Sequence, residues 1–319
     1  AKPHGYQLPV DYLFRSLAKD QRERAVCIVL SGTASDGTLG VKAVKGEGGM
    51  AMAQEPETAR YAGMPQSAIS TGMIDFILSP EDMPAQLQKY VNQAVISPAN
   101  GEHVIPESEA DMLDEVFAVL RRQTGHDFSQ YKRKTLTRRI ERRMIVSQRD
   151  NLGRYLQFLR KNPIEVESLF KDLLIGVTRF FRDDDAFEVL SEKVIPTIIK
   201  DKEPGETIRV WIVACSTGEE AYSIAMLFYD KLKMVDKHID LQIFATDIDS
   251  EAVDRARTGY YPDNIAADVP PDLLKRHFIE EKNGYRVKKH LRNIVIFAEQ
   301  SVIKDPPFSR LDLISCRNL

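Results

Sequence analysis

The chain is poor in cysteine and tryptophan, and it lacks long apolar runs. Its three cysteines, Cys27, Cys215 and Cys316, are far apart and lie in apolar stretches. They therefore indicate reduced core thiols and exclude a disulfide framework or a CxxC metal knuckle. No segment approaches the roughly 18 uninterrupted apolar residues of a membrane span, and no signal peptide opens the chain. We therefore predict a cytoplasmic protein with no metal site and no direct membrane insertion.

The chain also lacks a large excess of either charge. Forty-four basic and 47 acidic residues leave a net charge of -3, which excludes a global polycation for nucleic acid or membranes but allows a local basic patch. At roughly 100–200 residues per domain, the 319 residues allow two or three domains.

Three kinds of sequence follow one another along the chain. Residues 1–95 alternate strand-like runs with glycine-rich turns, which predicts a partial parallel α/β domain. Residues 96–108 contain prolines, a glycine and few apolar residues, so they indicate a linker. A helical domain is expected over 109–185, and a second α/β domain over 186–319 in which 255–296 is a candidate inserted β-subdomain.

The most informative stretch is VWIVACSTGEEAYSIAM, residues 210–226. It predicts a buried strand, a tight turn at Gly218 and a helix that begins with Glu219 and Glu220, as in the first βα unit of a Rossmann-like domain. One glycine does not make a pyrophosphate cradle, and acidic residues at the helix start repel phosphate. A ligand with hydroxyls or a cationic centre suits these glutamates better. The alternative is that both only complement the helix dipole.

A second apolar strand ends in FATDIDS, residues 244–250. An acid at this position, Asp247, can accept hydrogen bonds from ribose hydroxyls. The alternative is that Asp247 caps the next helix, although Asp249 or Ser250 can do that instead. Together with the acidic turn, Asp247 favours an adenosine ligand without a pyrophosphate, such as S-adenosylmethionine.

A basic helix is predicted over KRKTLTRRIERRM, residues 132–144, with seven basic residues and one glutamate. Leu136, Ile140 and Met144 form its inward stripe. The flanks and outer face then carry Arg138, Arg139, Arg142 and Arg143. These arginines either dock an acidic partner or form a solvated face with intramolecular acidic neighbours. No aromatic residues interleave with them, so we expect no nucleic-acid partner.

Between these elements lies LLIGVTRFFRDDDAF, residues 173–187. Phe180 and Phe181 are expected to anchor this segment in a core. Arg182 can bind a carboxylate with two parallel hydrogen bonds, or it can pair with one of the three aspartates that follow. The sequence leaves both alternatives open.

The motifs VTRFFRD, ACSTGEEAYSIAM, ATDIDS and LDLISCRN occur in the order typical of chemotaxis-receptor glutamate methyltransferases, and residues 109–319 resemble this CheR family. The resemblance implies a small helical domain followed by a Rossmann-like S-adenosylmethionine domain. It implies that Arg182 belongs to the methyl-transfer site, and that the basic helix docks on glutamate-bearing helices of a chemoreceptor or a similar acidic helical protein. The cofactor-binding residues that it implies are Thr178, Arg182, Glu220, Asp247, Ser301, Val302, Cys316 and Arg317.

The chain departs from the family pattern at three places. Gly176 and Ser301 stand where the family has asparagines, and the second change weakens a contact on the adenine side. The chain also stops at Leu319, before a family tyrosine. Because the strand at 311–316 is followed by only three residues, we expect a fragment with little or no methyl transfer.

Residues 1–95 resemble the catalytic domain of the CheB chemotaxis methylesterases. LSGTASDGTLG, residues 30–40, is similar to the motif around that family's triad acid, which matches Asp36. A serine hydrolase also needs a nucleophile and a base, but no G-x-S-x-G elbow occurs here and none of the histidines matches a family position. We therefore expect an inactive methylesterase half.

The two resemblances together imply a methylesterase–methyltransferase hybrid. The activity that they imply for the methyltransferase half of such a hybrid is methyl transfer from S-adenosylmethionine to receptor glutamates, with S-adenosylhomocysteine as product. The alternatives are a regulatory module that binds the cofactor without turnover, and an RNA methyltransferase that uses the basic helix.

Overall fold

The computed structural model describes residues 8–96, 109–129, 131–176, 178–282 and 284–317. The chain forms two compact units, Leu8–Val177 and Thr178–Leu319, which we call the first unit and the second unit. Most of the predicted linker at 96–108 lies outside the described residues. The first unit contains both the methylesterase-like region and the helices that follow it. The predicted domain boundaries stay predictions.

The amino-terminal part of the first unit is built on a small parallel sheet in the order β1-β2-β3. Its strands are β1 (Val26–Val29), β2 (Met50–Gln54) and β3 (Phe76–Leu78), and its helices are α1 (Pro9–Gln21), α2 (Thr38–Gly46), α3 (Gly63–Ile69) and α4 (Met83–Ile96). Side chains alternate between the two faces of such strands. Cys27 and Ala51 therefore pack with α1, α2 and α3, whereas Met50 and Met52 belong to a separate cluster on the opposite face.

The rest of the first unit is a group of four helices. They are α5 (Ala110–Thr124), α6 (Arg133–Val146), α7 (Leu152–Lys161) and α8 (Pro163–Leu173). Local signals account for their ends, because Gly125 ends α5 in the left-handed region and the Asn151 and Asn162 side chains accept backbone N–H groups of α7 and α8. Leu120, Ile140 and other apolar residues fill the core between them.

The second unit contains a larger parallel sheet in the order β10-β4-β5-β9. These strands are β4 (Thr207–Val213), β5 (Asp240–Asp247), β9 (Val295–Glu299) and β10 (Leu313–Cys316). The helices are α9 (Asp184–Val189), α10 (Ile195–Lys200), α11 (Glu219–Leu232), α12 (Ser250–Thr258), α13 (Pro271–His277) and α14 (Lys289–Arg292). The predicted α/β class, with a Rossmann-like parallel sheet and a helical domain, is confirmed.

A small antiparallel sheet is inserted between α12 and α14. Its strands are β6 (Tyr260–Pro262), β7 (Phe278–Glu281) and β8 (Gly284–Val287), in the order β6-β8-β7. All three fall within 255–296, where an inserted β-subdomain was expected. No helix in the described part of the chain combines the length and apolar character that a bilayer span requires.

Candidate functional site

The candidate site lies at the carboxyl edge of the large sheet. Parallel strands bring the residues that follow them to one edge, which is where open α/β sheets bind ligands. The segments that meet there are the turn from Ala214 to Gly218 after β4, the end of β5 at Asp247, the turn at Ser301 after β9 and Arg317 after β10.

The turn between β4 and α11 is tight, and its backbone conformation is constrained by the residues packed around it. Ala214, Ser216 and Gly218 all have positive φ angles, of 54°, 47° and 89°. A Cβ atom added at Gly218 would lie 2.8 Å from the Cβ of Ala256 and 3.1 Å from the ring of Phe297, so only glycine fits at this position. The backbone of this turn, free of a side chain at Gly218, can therefore approach a ligand at the carboxyl edge of the sheet closely.

Asp247 holds this turn in place from the neighbouring strand. Its Oδ2 accepts the Ser216 N–H at 2.7 Å, and its Oδ1 accepts the Asp249 N–H at 3.0 Å. Burial raises the pKa of Asp247, an effect that these backbone donors oppose. The cap of α12 is a different residue, Asp249, whose side chain accepts the Ala252 N–H at 3.0 Å. The alternative role of Asp247 as a helix cap is therefore wrong.

The two glutamates at the start of α11 differ in their surroundings. Glu219 is buried, and its Oε2 accepts a 2.6 Å hydrogen bond from the Thr217 hydroxyl. Glu220 is half-buried, and its Oε1 accepts a 2.5 Å hydrogen bond from the Ser315 hydroxyl. Its other oxygen lies 3.6 Å from the Arg317 guanidinium. Glu219 thus stabilises the turn through Thr217, whereas Glu220 contacts Ser315 of β10 and Arg317 just after it.

The Cys215 thiol lies just after β4, close to the carboxylates of Asp247, Glu219 and Glu220. Burial raises the pKa of Cys215 well above its ordinary value, and the charges of Asp247, Glu219 and Glu220 raise it further. The same charges make the turn electronegative, so it favours a cationic or hydroxyl-bearing ligand over a phosphate.

The segment that carries Arg182 is rigidly held. Phe180 and Phe181 are buried in the core of the second unit, as expected, and the Phe181 N–H donates to the Ser223 hydroxyl at 3.1 Å. Phe181 and Asp183 have positive φ angles of 50° and 66°, a conformation that non-glycine residues adopt only when their surroundings enforce it. The Arg182 side chain is consequently presented on a fixed backbone.

Arg317 joins this segment to the sheet edge. Its guanidinium donates to the Arg182 carbonyl at 2.7 Å and to the Asp183 carboxylate at 2.5 Å, and it lies 5.3 Å from the centre of the Phe187 ring. Three residues expected from the sequence, Arg182, Glu220 and Arg317, are thereby brought together.

Ser315 completes this group, and sequence reasoning missed it. The signal that could have found it is a hydroxyl residue inside the otherwise apolar strand run of β10. Its hydrogen bond orients Glu220 and so selects which oxygen of that carboxylate is left for a ligand.

The remaining expected residues lie along the same part of the unit. The Ser301 N–H donates to the Asp305 carboxylate at 2.7 Å in the turn after β9, and Val302 next to it is exposed. Cys316 is exposed at the end of β10, so the expectation of a core thiol is wrong for this cysteine, although Cys27 and Cys215 are buried. Thr178 is half-buried in the coil before Phe180. Their roles toward a cofactor stay predictions.

Asp36, in the first unit, is engaged in helix capping. Its two carboxylate oxygens accept the N–H groups of Val10 and Asp11, at 3.2 and 2.9 Å, in the first turn of α1. In return, the Asp11 carboxylate accepts the Gly40 N–H of α2 at 2.6 Å. The carboxylate matched to a triad acid thus stabilises the start of α1, and Asp11 stabilises the start of α2.

The expected docking face on α6 requires correction. Arg139 and Arg142 are only 6% and 5% exposed, and Arg143 forms hydrogen bonds of 3.0 and 2.6 Å with Glu165. Arg138 is half-buried. The expectation of four arginines on the flanks and outer face was wrong for Arg139 and Arg142, because acidic groups and backbone carbonyls of the same unit surround them.

Comparisons with known families divide the chain into three parts. A model described as "CheR methyltransferase, SAM binding domain" matches residues 176–319, and one described as "CheR methyltransferase, all-alpha domain" matches residues 111–174. A third, described as "CheB methylesterase", matches residues 1–87.

Individual relatives match all or part of the chain. A chemotaxis protein methyltransferase of Salmonella typhimurium is 32% identical over 63% of this chain and 69% of its own length. A chemotaxis protein methyltransferase of Listeria innocua is 29% identical over 68% of this chain and 80% of its own length. An uncharacterized 104.1 kDa protein of Rhodobacter capsulatus is 39% identical over 98% of this chain, but the chain spans only 35% of that protein.

Proposed function

The chain belongs to the CheR methyltransferase family, and from this premise we propose that it transfers a methyl group from S-adenosylmethionine to glutamate side chains of chemotaxis-type receptors. The observation that carries the proposal is the acidic edge of the large sheet, where Asp247 ends β5 and Glu220 lies in the first turn of α11, after the adjacent parallel strand β4. This edge lies within residues 176–319, the part that matches the S-adenosylmethionine-binding model.

The residues at this edge fit the cofactor chemically. Ribose hydroxyls are donors and suit Asp247, whose carboxylate already lies at the strand end with its charge partly buried. A pyrophosphate suits the site poorly, because Glu219 and Glu220 occupy the first turn of α11. By family resemblance, the other cofactor contacts are Thr178, Arg182, Ser301, Val302, Cys316 and Arg317.

When bound, S-adenosylmethionine supplies a methyl group activated by a positively charged sulfonium. The chain's own residues then have to hold and orient the acceptor. A glutamate carboxylate is ionised at pH 7 and needs no strong general base. Arg182 is the proposed residue for orienting that carboxylate, since a guanidinium binds it with two parallel hydrogen bonds. Its fixed backbone, tied by Arg317, favours catalysis by positioning.

The acceptor is proposed to be a glutamate-bearing acidic helix. Of the four arginines expected to dock it, Arg138 retains partial exposure, and Lys132, Arg133 and Lys134 are exposed at the start of α6. This end of α6 is the basic surface proposed for the acceptor. In the methylesterase-like region, the residue matched to a triad acid, Asp36, caps α1, and the proposed function does not involve this residue.

Two other functions make different predictions. A regulatory module would bind S-adenosylhomocysteine without transferring methyl groups. An RNA methyltransferase would be retained on RNA, with an affinity that falls steeply as salt is raised.

The proposal is tested first by calorimetric titration with S-adenosylhomocysteine and, as a matched comparison, with NAD⁺. We expect one site for S-adenosylhomocysteine and no measurable binding of the pyrophosphate ligand. Radiolabelled methyl groups should then appear in an acidic receptor fragment but not in a fragment whose glutamates are replaced by alanine, nor in RNA. Binding of NAD⁺ with equal affinity, or label in RNA alone, contradicts the proposal.

A further inference from the structure

The carboxyl-terminal end of α6 packs on one face of the small sheet in the first unit, beside α4. Ile145 and Val146 of α6 pack in one apolar cluster with Met50 and Met52 of β2 and with Phe76 of β3. The opposite face of the same sheet carries α1, α2 and α3. Parallel sheets are stable when helices cover both faces. On this face, α4 of the methylesterase-like region and the end of α6, a helix of the methyltransferase part, cover the sheet together.

The α6 arginines extend this contact with specific hydrogen bonds. Arg139 donates to the carbonyls of Lys45 and Gly46, at 2.9 and 3.1 Å, and Arg142 Nε donates to the carbonyl of Gly49 at 3.1 Å. These carbonyls belong to the end of α2 and the turn before β2. The last carbonyls of a helix lack partners within it and carry partial negative charge, so a guanidinium is well suited to them.

A buried group of charges lies beside these hydrogen bonds. Asp75 accepts from Lys45 Nζ at 2.7 Å and from Arg142 at 2.5 Å, and its other oxygen accepts the Ala51 N–H at 2.9 Å. Asp172 of α8 also pairs with Arg142. The Lys45, Asp75 and Arg142 side chains are at most 4% exposed. Two cations and two anions balance one another, and removing one would leave an uncompensated charge away from water.

We propose that the methylesterase-like region, residues 8–96, is the permanent partner of the arginine face of α6, so that Arg139 and Arg142 bind this region and not the methyl acceptor. The statement that Arg139 and Arg142 do not bind the methyl acceptor rests on the proposed function. The contact between residues 8–96 and α6 does not depend on it. An acceptor could reach these arginines only after residues 8–96 had left them, which would expose both the sheet face and the buried charges. The two family regions therefore act as one folding unit.

Hydrogen exchange of the full chain tests the internal contact. Asp75→Asn keeps the shape of the side chain but removes the charge that pairs with Lys45 and Arg142. We expect exchange to accelerate about a hundred-fold or more in β2 and in α6 and α8 together. The matched control is Asp114→Asn. Asp114 pairs with Arg133, which is also on α6, but this ion pair is exposed to solvent. Exchange in β2, α6 and α8 should change less than about two-fold in this control.

A second variant covers the case in which Asp75→Asn does not fold. Arg139→Met removes the two hydrogen bonds to the end of α2 together with the guanidinium charge, and about ten-fold faster exchange is expected in α2 and α6 together. The fluorescence of Trp211, the single tryptophan, reports whether the second unit remains folded in either variant. If exchange rises in β2 or α2 while α6 and α8 are unchanged, the two regions are independent and the proposal is wrong.

The acceptor is tested separately by adding an acidic receptor fragment to the unmodified chain. The proposal predicts unchanged exchange at Lys45–Gly49 and in the second half of α6. Faster exchange at Lys45–Gly49 together with protection of α6 would mean that the acceptor displaces residues 8–96, which overturns the proposal. Absence of methyl transfer would instead contradict the proposed function and leave the result for the internal contact unaffected.

Discussion

Replacing Asp247 removes a proposed ribose acceptor and two hydrogen bonds to backbone N–H groups, one in the turn after β4 and one after β5. Its carboxylate accepts the N–H groups of Ser216 and Asp249, at 2.7 and 3.0 Å, so both oxygens are already oriented before a ligand arrives. In Asp247→Ala the acceptor and both hydrogen bonds are lost. In Asp247→Asn one oxygen remains, but the amide NH₂ then faces a backbone N–H, so two donors meet.

The expected loss follows from these contacts. A hydrogen bond to a charged group contributes about 1.5–3 kcal/mol, so Asp247→Ala should raise the Kd of S-adenosylhomocysteine about ten-fold to a hundred-fold. Loss of the two hydrogen bonds should also lower the free energy of unfolding by about 2 kcal/mol. Asp247→Asn should weaken binding by a similar factor, because its retained oxygen carries no full charge.

Isothermal titration with S-adenosylhomocysteine measures both variants against Asp249→Asn. This control changes the neighbouring carboxylate in the same way but keeps a good helix cap, since asparagine and aspartate cap helices about equally well. Its Kd should stay within about a factor of two of the unmodified chain. A Kd for Asp247→Ala equal to that of the unmodified chain would refute the role of Asp247.

The same site predicts a pH dependence of binding. Burial raises the pKa of Asp247 above its ordinary value of 3.8, so in the folded protein the carboxylate takes up its proton at a higher pH than a free aspartate does. Ribose hydroxyls donate best to the ionised form. Affinity for S-adenosylhomocysteine should therefore fall as the pH is lowered toward and through this raised pKa, and Asp247→Ala should lose this dependence.

Three further predictions concern other contacts. Ser315→Ala should raise the Kd of S-adenosylhomocysteine about five-fold in the same titration, because Glu220 loses its orienting hydroxyl, whereas Ser315→Thr should restore it. Asp36→Ala should lower the free energy of unfolding by about 1–2 kcal/mol in urea melts followed by circular dichroism, because α1 loses its cap; no loss would contradict the capping role. Burial alone would raise the pKa of Asp75, but the charges of Arg142 and Lys45 hold it below its ordinary 3.8. The free energy of unfolding that this shift provides is fully present above pH 3.8, and it should decline as the pH falls through the lowered pKa. Thermal melts of Asp75→Asn should show less of this decline.

Much of the cofactor edge could be predicted because its pattern is local. A buried strand, a glycine turn and an acidic helix start are contiguous in the sequence, and Asp247 follows an apolar run that reads as a strand. Asp249 could be named as an alternative cap for the same reason, since capping depends on residues three positions apart.

Contacts between distant segments could not be predicted in this way. Ser315 is 95 residues from Glu220, and Asp75 is 67 residues from Arg142. Helical periodicity placed the α6 arginines beside its apolar stripe, but it could not show that a sheet and two carboxylates would cover them. For this reason the prediction of an exposed docking face was wrong for Arg139 and Arg142. The alternative was a solvated face with intramolecular acidic neighbours; the acidic neighbours agree with the structure, but these two arginines are buried and not solvated.

The chemistry of the transferred methyl group tests the central claim most directly. An acidic receptor fragment is incubated with the chain and methyl-labelled S-adenosylmethionine, and the labelled product is then exposed to alkali. A methyl ester of glutamate releases its label as volatile methanol, whereas a methyl group on nitrogen or on a nucleic-acid base stays bound. The account predicts alkali-labile label that disappears when the fragment's glutamates are replaced by alanine. Alkali-stable label, or label that persists without those glutamates, would contradict it.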